Sequence, residues 1–374
     1  MSARACGFES RLRHHPFSGR SGDRVLEVSG MTTVTPSPLH TALCDRLGIR
    51  YPICQAGMAF VARAGLAAAV SAAGGLGVIA AAHGSPAQLR EEIRRVREQT
   101  DRPFGVDILF ATVKTSGRET EAFTDAVRGW CDVTLEERVP VLIAGLGNPG
   151  PLTEEAHRLG MTVMALCGNV KQARDHAANG VDVVIAQGHE GGGHTGRVGG
   201  LVLTPAVVDA VAPRLVVSAG GIADGRGLVA ALALGAAGVW MGTRFIATVE
   251  AHGHDNYKRK IAAIDEEGTV VTRAVSGKPN RQIRNAFTRE WESRQAEIEP
   301  FPIQYERVGK PAAIRAREEG DVEHGSAAAG QSAGLIRDVR PVAQVMASIV
   351  EEAEAILLKL RNLGQKVALD TRRA

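Results

Sequence analysis

The chain reads as α/β: a (β/α)8 TIM barrel with an inserted helical and irregular subdomain between strand 8 and the last helix. Three observations predict this. Short apolar runs recur eight times between Leu47 and Met241, separated by helical patterns at βα spacing. The run 181–186 is apolar and β-branched throughout, as suits a strand buried on both faces. Glycine-rich polar loops follow the last runs, on the face where a barrel gathers its strand-end loops. A doubly wound sheet stays open as the alternative, because a strand count does not show closure.

Residues 51–55 read as the first strand, 65–73 as a helix and 77–80 as the second strand. Ser85-Pro-Ala-Gln88 opens the next helix with an N-cap serine, proline at the first position and glutamine three after the cap. Leu89, Ile93 and Val96 put one apolar stripe on it, and Pro103 follows its end. The third strand is 104–110, followed by a weakly patterned helix around 119–130. Strand 139–144, helix 153–159, strand 162–166 and helix 170–179 come next. Strand 181–186, helix 205–211, strand 215–218, helix 226–234 and strand 238–241 complete the eight. The rhythm then breaks. Residues 247–340 are charged and irregular, with a helix at 257–264, and read as an inserted lid or substrate subdomain. Pro341 opens a last helix with Val342, Val345, Ile349, Ala353, Ile356 and Leu360 on one face, the helix that would close the ring. The expected organisation is a disordered extension over 1–30, a barrel over 31–246 and 341–364, the insertion 247–340, and a polar tail over 365–374.

Bulk composition narrows the function. A net charge of +3 argues against nucleic acid or an anionic membrane as partner. At 4% aromatic, base-stacking platforms are not expected. No apolar run reaches membrane-spanning length. Cys6, Cys44, Cys54, Cys131 and Cys167 lack CxxC pairing or ligand spacing and read as reduced thiols of a cytoplasmic protein. Residues 1–30 are Arg-rich without an apolar h-region, so they are not a secretory signal. A homodimer is left open.

The chemistry concentrates after the sixth strand, in Gln187-Gly-His-Glu-Gly-Gly-Gly-His-Thr-Gly-Arg197. Gly191, Gly192 and Gly193 remove every Cβ just before His194, which suits backbone lying flat on something bulky and planar, with one imidazole beside it. A strand-end imidazole can titrate near neutrality and act as acid, base or anion partner. His189 shares the address but precedes the glycines. Ser218-Ala-Gly-Gly-Ile-Ala-Asp-Gly225 and Met241-Gly-Thr-Arg244 follow strands seven and eight and offer bare backbone N–H groups, as a phosphate monoester requires. Met58, after the first strand, either packs on a ring or fills core.

Two patterns are decoys. Gly145-Leu-Gly147-Asn-Pro-Gly150 spells GxGxxG, but the next strand ends at Leu166-Cys167 with no acid to hold a ribose. His189-Glu190 and His194 are spaced HExxxH through three glycines, which no helix favours, so no metal is expected. His252, His254 and Asp255 read as solvated polar residues of the insertion.

With these residues assembled, the chain resembles the nitronate monooxygenase (2-nitropropane dioxygenase-like) family of FMN-dependent barrels, from about Leu43 to about Leu357. The resemblance rests on Tyr51-Pro-Ile-Cys-Gln-Ala-Gly-Met58, Ala73-Gly-Gly-Leu-Gly77, Phe104-Gly-Val-Asp-Ile108, Gln187-Gly-His-Glu-Gly-Gly-Gly-His194, Ala219-Gly-Gly-Ile222 and Met241-Gly-Thr-Arg-Phe245. It implies FMN, with Met58, Asp107, Gln187 and Gly192 near the flavin. Gly221, Trp240, Met241, Gly242 and Thr243 would hold the phosphate end, and His194 matches the active-site histidine. Family members commonly carry Asn where this chain has Asp107, and QAPM where it has Gln55-Ala-Gly-Met58. His252-Gly-His-Asp-Asn-Tyr-Lys258 and Gly320-Asp-Val-Glu-His-Gly-Ser-Ala-Ala-Ala-Gly-Gln331 are similar to segments of a sister branch, the FMN-dependent enoyl-acyl carrier protein reductases. The expected activity is oxidation of alkyl nitronates by O2 to carbonyl compounds and nitrite. The alternative is an NAD(P)H-dependent enoyl-thioester reductase, and a third reading is a phosphate-binding barrel without redox chemistry.

Overall fold

The structure, a computed structural model, describes residues 37–110, 113–115, 118–120 and 125–370. The extension expected over 1–30 and Cys6 lie outside the described residues. Eight parallel strands run β1 Ile53–Gln55, β2 Gly77–Ala80, β3 Phe104–Leu109, β4 Val141–Leu146, β5 Thr162–Cys167, β6 Val183–Gln187, β7 Leu215–Ala219 and β8 Gly238–Met241. Their hydrogen-bonded order is β1-β8-β7-β6-β5-β4-β3-β2. The two ends meet through a parallel bridge between Cys54 and Leu76, with Gln55 N donating to Leu76 O at 2.9 Å. The buried Gln55 side chain seals the seam, accepting from Val78 N at 2.9 Å and donating to Val78 O at 3.2 Å. The sheet is therefore a barrel, and the doubly wound alternative falls.

Inward side chains fill the barrel: Val78, Ile143, Met164, Ile185, Val217 and Trp240 form one buried cluster. Leu43 of the short helix Ala42–Leu47 closes the floor, since a Cβ on Gly238, where β8 begins, would stand 2.5 Å from it. Each fully buried Leu or Ile contributes about 2 kcal/mol of transfer free energy, so the closed core is the main stabilising contribution. The outer helices pack tightly. A Cβ on Gly77 would stand 1.8 Å from Ala67 O of helix Ala64–Ala72, so strand and helix meet there only because residue 77 is glycine.

Helix Pro86–Gln99 carries the expected capping box and buries Leu89, Ile93 and Val96. The helix expected around 119–130 is displaced. Arg118–Thr120 pairs with Val113–Thr115 as a hairpin, and the helix is Asp125–Glu136, where Val127, Cys131 and Leu135 supply the buried stripe. The last helix, Val342–Asp370, runs past Gly364. One glycine costs a helix only about 1 kcal/mol, and the residues after it are mostly helix formers. The final helix docks on helix Gly225–Ala233, where a Cβ on Gly225 would stand 2.5 Å from Ala353 N, and Gly225 N donates to Glu352 at 2.8 Å.

Residues 247–340 are more regular than their composition suggests. They form helix Asp255–Ala263, strands Thr269–Thr272 and Asn280–Ile283, and helices Ala286–Ser293 and Lys310–Arg317. Phe287, Trp291 and Ala312 build a small core with Ala274 and Val275, whereas Tyr257, Ile261 and Ala316 bury into the core shared with the barrel helices. The four described cysteines are free and buried. Among the described residues, no helix is long and apolar enough to cross a membrane.

Candidate active site

The loop leaving β6 folds back on itself. Gln187 Nε2 donates to His194 O at 2.6 Å, and Gly191 N to Gly188 O at 3.0 Å. His189 Nδ1 lies 2.8 Å from Gly196 O, so its ring is spent on the loop. Both oxygens of Glu190 accept from Gly200 N at 3.0 Å, at the start of helix Gly200–Val211, where the helix dipole favours a carboxylate. Glu190 thus holds the two ends of the loop together. The protein's own packing also bears on the glycine triplet. A Cβ on Gly191 would stand 2.9 Å from the Gln187 side chain, and one on Gly192 2.7 Å from the backbone of Ala329 and Gly330. Gly193 has φ +75° with nothing within 4 Å. Protein packing and one left-handed turn therefore favour glycine here as well.

Gly193–His194 is a two-residue strand in a sheet with Asn280–Ile283 and Thr269–Thr272 of the insertion. His194 pairs with Asn280 and Gly193 with Arg281. Thr195 N donates to Pro279 O at 3.3 Å. The buried Arg281 clamps the crossing, donating through Nε and Nη2 to His189 O at 3.2 and 3.0 Å and through Nη1 to Thr269 Oγ1 at 3.0 Å. His194 Nε2 lies 2.8 Å from Oγ of the fully buried Ser276. Burial pushes the His194 pKa down to about 4, with Lys278 and Arg317 adding to the shift. The imidazole is therefore neutral at pH 7, not titrating near neutrality as its position alone suggests, because the protein wraps it and the charges beside it are positive.

Asp107, on β3, is buried between two glycines: a Cβ on Gly57 would stand 2.1 Å from one carboxyl oxygen, and a Cβ on Gly145 2.3 Å from the other. The GxGxxG decoy thus supplies, at Gly145, room for a carboxyl. Among the described residues Oδ1 has no hydrogen-bond partner, and burial raises the pKa to about 7, opposed in part by the backbone N–H of Gly145. The Met58 sulfur would lie 3.5 Å from a Cβ on Gly242. Trp240 fills the barrel interior and Met241 faces the helix layer, so both offer only backbone to a ligand. Thr243 Oγ1 accepts from Gly330 N at 2.9 Å, tying the loop after β8 to the insertion. Gly221 has φ +74° and faces the Glu190 side chain.

The N–H groups of Gly221, Gly242 and Thr243 have no protein acceptor among the described residues. Open donors at the ends of β7 and β8, with the unpartnered Asp107 oxygen nearer the barrel axis, fit a mononucleotide with a phosphate at one end and a polar ring at the other. Ser276, Lys278, Arg281 and Arg317 escape sequence reasoning. Ser276-Gly-Lys-Pro279 is a turn signature, but its pairing with a loop some eighty residues upstream leaves no local trace. A cleft of about 530 Å³ lined by Ala177, Ala210, Val211, Ala212, Pro213 and Arg214 lies where β7 begins, at the opposite end of the barrel from these loops.

A family model described as nitronate monooxygenase matches residues 40–352. FabK from Thermotoga maritima is similar in structure, with TM-score 0.79, 41% identity, and coverage of 87% of this chain and 99% of that one. Nitroalkane oxidase from Streptomyces ansochromogenes superposes with TM-score 0.74 at 30% identity, covering 85% of this chain and all of the other. A Mycobacterium tuberculosis (3aS,4S,5R,7aS)-5-hydroxy-7a-methyl-1-oxo-octahydro-1H-indene-4-carboxyl-CoA dehydrogenase is 41% identical, over 68% of this chain and 69% of that protein.

Proposed function

The chain belongs to the nitronate monooxygenase family and is a flavin-dependent oxidoreductase; from that premise we propose that it uses FMN to oxidise alkyl nitronates with O2 to carbonyl compounds and nitrite. The observation that carries this reading is His194 at the barrel mouth, an imidazole 2.8 Å from Ser276 Oγ and kept neutral by burial and by the positive charges of Lys278 and Arg317. In this reading Met58, Asp107, Gln187 and Gly192 border the flavin ring. Gly221, Gly242 and Thr243, with the backbone of Trp240 and Met241, hold the phosphate end. The bound flavin would supply the electron acceptor.

A nitronate carries its negative charge on the nitro oxygens, and a site whose fixed charges are positive stabilises it there. Ser276 Oγ, 2.8 Å from Nε2, fixes the orientation of the ring. For a neutral nitroalkane, the unprotonated ring accepts the α-proton; for the nitronate, the ring N–H donates to a nitro oxygen. The insertion, which brings Ser276 to the ring, completes the site on the substrate side.

A second reading is favoured by sequence identity: the relative named as a carboxyl-CoA dehydrogenase is 41% identical, against 30% for the nitroalkane oxidase. An acyl-thioester oxidoreductase using NAD(P)H would place its enolate oxygen beside the same cations. One anaerobic experiment separates the two. The flavin-loaded protein is mixed with NADH, NADPH or an alkyl nitronate, and the flavin absorbance is followed. Bleaching by nitronate alone is expected. Rapid bleaching by a nucleotide and none by nitronate would move the chain to thioester chemistry.

A further inference from the structure

The loop that delivers Ser276 to His194 also delivers a lysine that has no counter-charge among the described residues. Lys278 lies between Ser276, whose Oγ touches the His194 ring, and Pro279 and Asn280, which pair with Thr195 and His194. Its ammonium stands 4.8 Å from the Phe301 ring centroid and, among the described residues, forms no salt bridge or hydrogen bond. It is half-buried, and that burial disfavours its charge. Arg317, the other cation acting on the His194 ring, is pinned by backbone alone: Nε donates to Ser326 O at 3.2 Å and Nη1 to Ala59 O at 3.3 Å, one residue past Met58. Its guanidinium also lies 5.9 Å from the Phe60 ring centroid, and among the described residues no carboxylate meets it. A half-buried ammonium and a carbonyl-anchored guanidinium beside one neutral imidazole leave positive charge that the protein does not neutralise. Two other sequestered arginines find acids: Arg244 finds Asp338 and Arg63 finds Glu318. Sequestering a cation without a partner is costly, and a bound anion offsets that cost.

We propose that Lys278, together with Arg317, forms an oxyanion subsite beside His194 that holds the charged oxygens of the substrate, Lys278 being the residue that makes the site prefer an anion to its neutral conjugate acid. The subsite rests on reading His194 as the reactive edge of the site. Lys278 sits on the insertion and Arg317 on its helix Lys310–Arg317, so the anion preference is built by the insertion and not by the barrel. The ligand class is a small monovalent oxyanion such as a nitronate or a carboxylate.

The test uses the flavin-loaded full chain and sodium nitrate, a planar oxyanion that undergoes no turnover, titrated by calorimetry at constant ionic strength. Saturable binding is expected. Lys278→Met should weaken it by about tenfold or more, the loss of one charge-assisted contact, and Lys278→Arg should restore most of it. If Lys278→Met proves unstable, Lys278→Gln carries the same expectation. In steady-state assays Lys278→Met should raise KM for the nitronate more than for the parent nitroalkane. Nitrate binding that is absent from the parent protein, or unchanged in Lys278→Met, would overturn the subsite. So would weakened nitrate binding with an unchanged nitronate KM. Nitrate binding that depends on Lys278 in a protein inert to nitronates would sink the nitronate reading and leave the subsite standing.

Discussion

Half-buried His194 and buried Asp107 are two titratable groups with opposite linkage. His194 has its pKa lowered to about 4, so between there and the ordinary histidine value near 6.5 the unfolded chain binds the extra proton. Stability contributed by neutral His194 is present above that window and is lost as pH falls through it. Asp107, raised to about 7 from 3.8, binds its proton in the folded state. Its contribution is full below 3.8 and is lost as pH rises toward 7, by about 4 kcal/mol at the top of the window. Asp107→Asn removes that loss. The variant should melt above the parent at pH 8.5, with the gap narrowing as pH falls and closing only toward 3.8, as read by differential scanning calorimetry. A gap independent of pH would show that Asp107 is not protonated on folding. For His194, substitution by Ala should leave flavin content intact and remove most nitronate turnover, and kcat of the Asp107→Asn variant, in which Asp107 no longer titrates, should hold steady from pH 8 down to about 5. A kcat that falls with a midpoint near 6.5 would mean the imidazole is not shielded.

At the scale of elements, the site is a joint between two pieces of chain that local pattern does not connect. Barrel strands were legible because each is a short apolar run with turn residues at its ends, and the capping box of helix Pro86–Gln99 was legible because its pieces lie within four residues. The sequence pattern places the helix after β3 too early because nothing local marks the hairpin that precedes it. Strand Asn280–Ile283 was not legible at all. Its buried residues include Asn280, Arg281 and Gln282, polar side chains satisfied by one another and, for Arg281 and Gln282, by partners far off in sequence, so no alternation shows. Arg281 is the residue on which this joint depends. Arg281→Met leaves Thr269 Oγ1 without its donor and His189 O with only the Thr195 hydroxyl at 3.2 Å, and should cost about 2 kcal/mol. Because the lost bonds hold the loop that carries His194, kcat should fall about tenfold while flavin content is retained, a misplacement effect. Kinetics and thermal melts on the flavin-loaded variant measure both, and an unchanged kcat would mean that the Gln187 and Ser276 contacts position the ring unaided.

For the whole molecule, the barrel was readable because it repeats one physical unit eight times, and repetition corrects errors in any single element. Closure was not readable, since it depends on the Cys54–Leu76 bridge and on the side chain of Gln55 crossing the seam. The boundary between barrel and insertion was read from a change of composition at residue 247. The structure gives that boundary an energetic meaning. Part of the insertion packs on itself around Phe287 and Trp291, while Tyr257, Ile261 and Ala316 pack into the core that contains Ile53 and Leu66. Its strand Asn280–Ile283 hydrogen-bonds to the loop from β6, and Gly330 N bonds Thr243 after β8. If the insertion were an independent domain, these contacts would be rim contacts and it would unfold alone. The shared core argues for one cooperative unit instead. Trp291 reports the insertion and Trp240 the barrel interior, so variants retaining one or the other give local probes. Urea unfolding of the flavin-loaded protein, followed by each fluorescence and by far-UV circular dichroism, should give coincident midpoints. A Trp291 transition at lower urea, with ellipticity largely retained, would mean that residues 247–340 open separately. Ser276 and Lys278 would then leave His194 in that opened state.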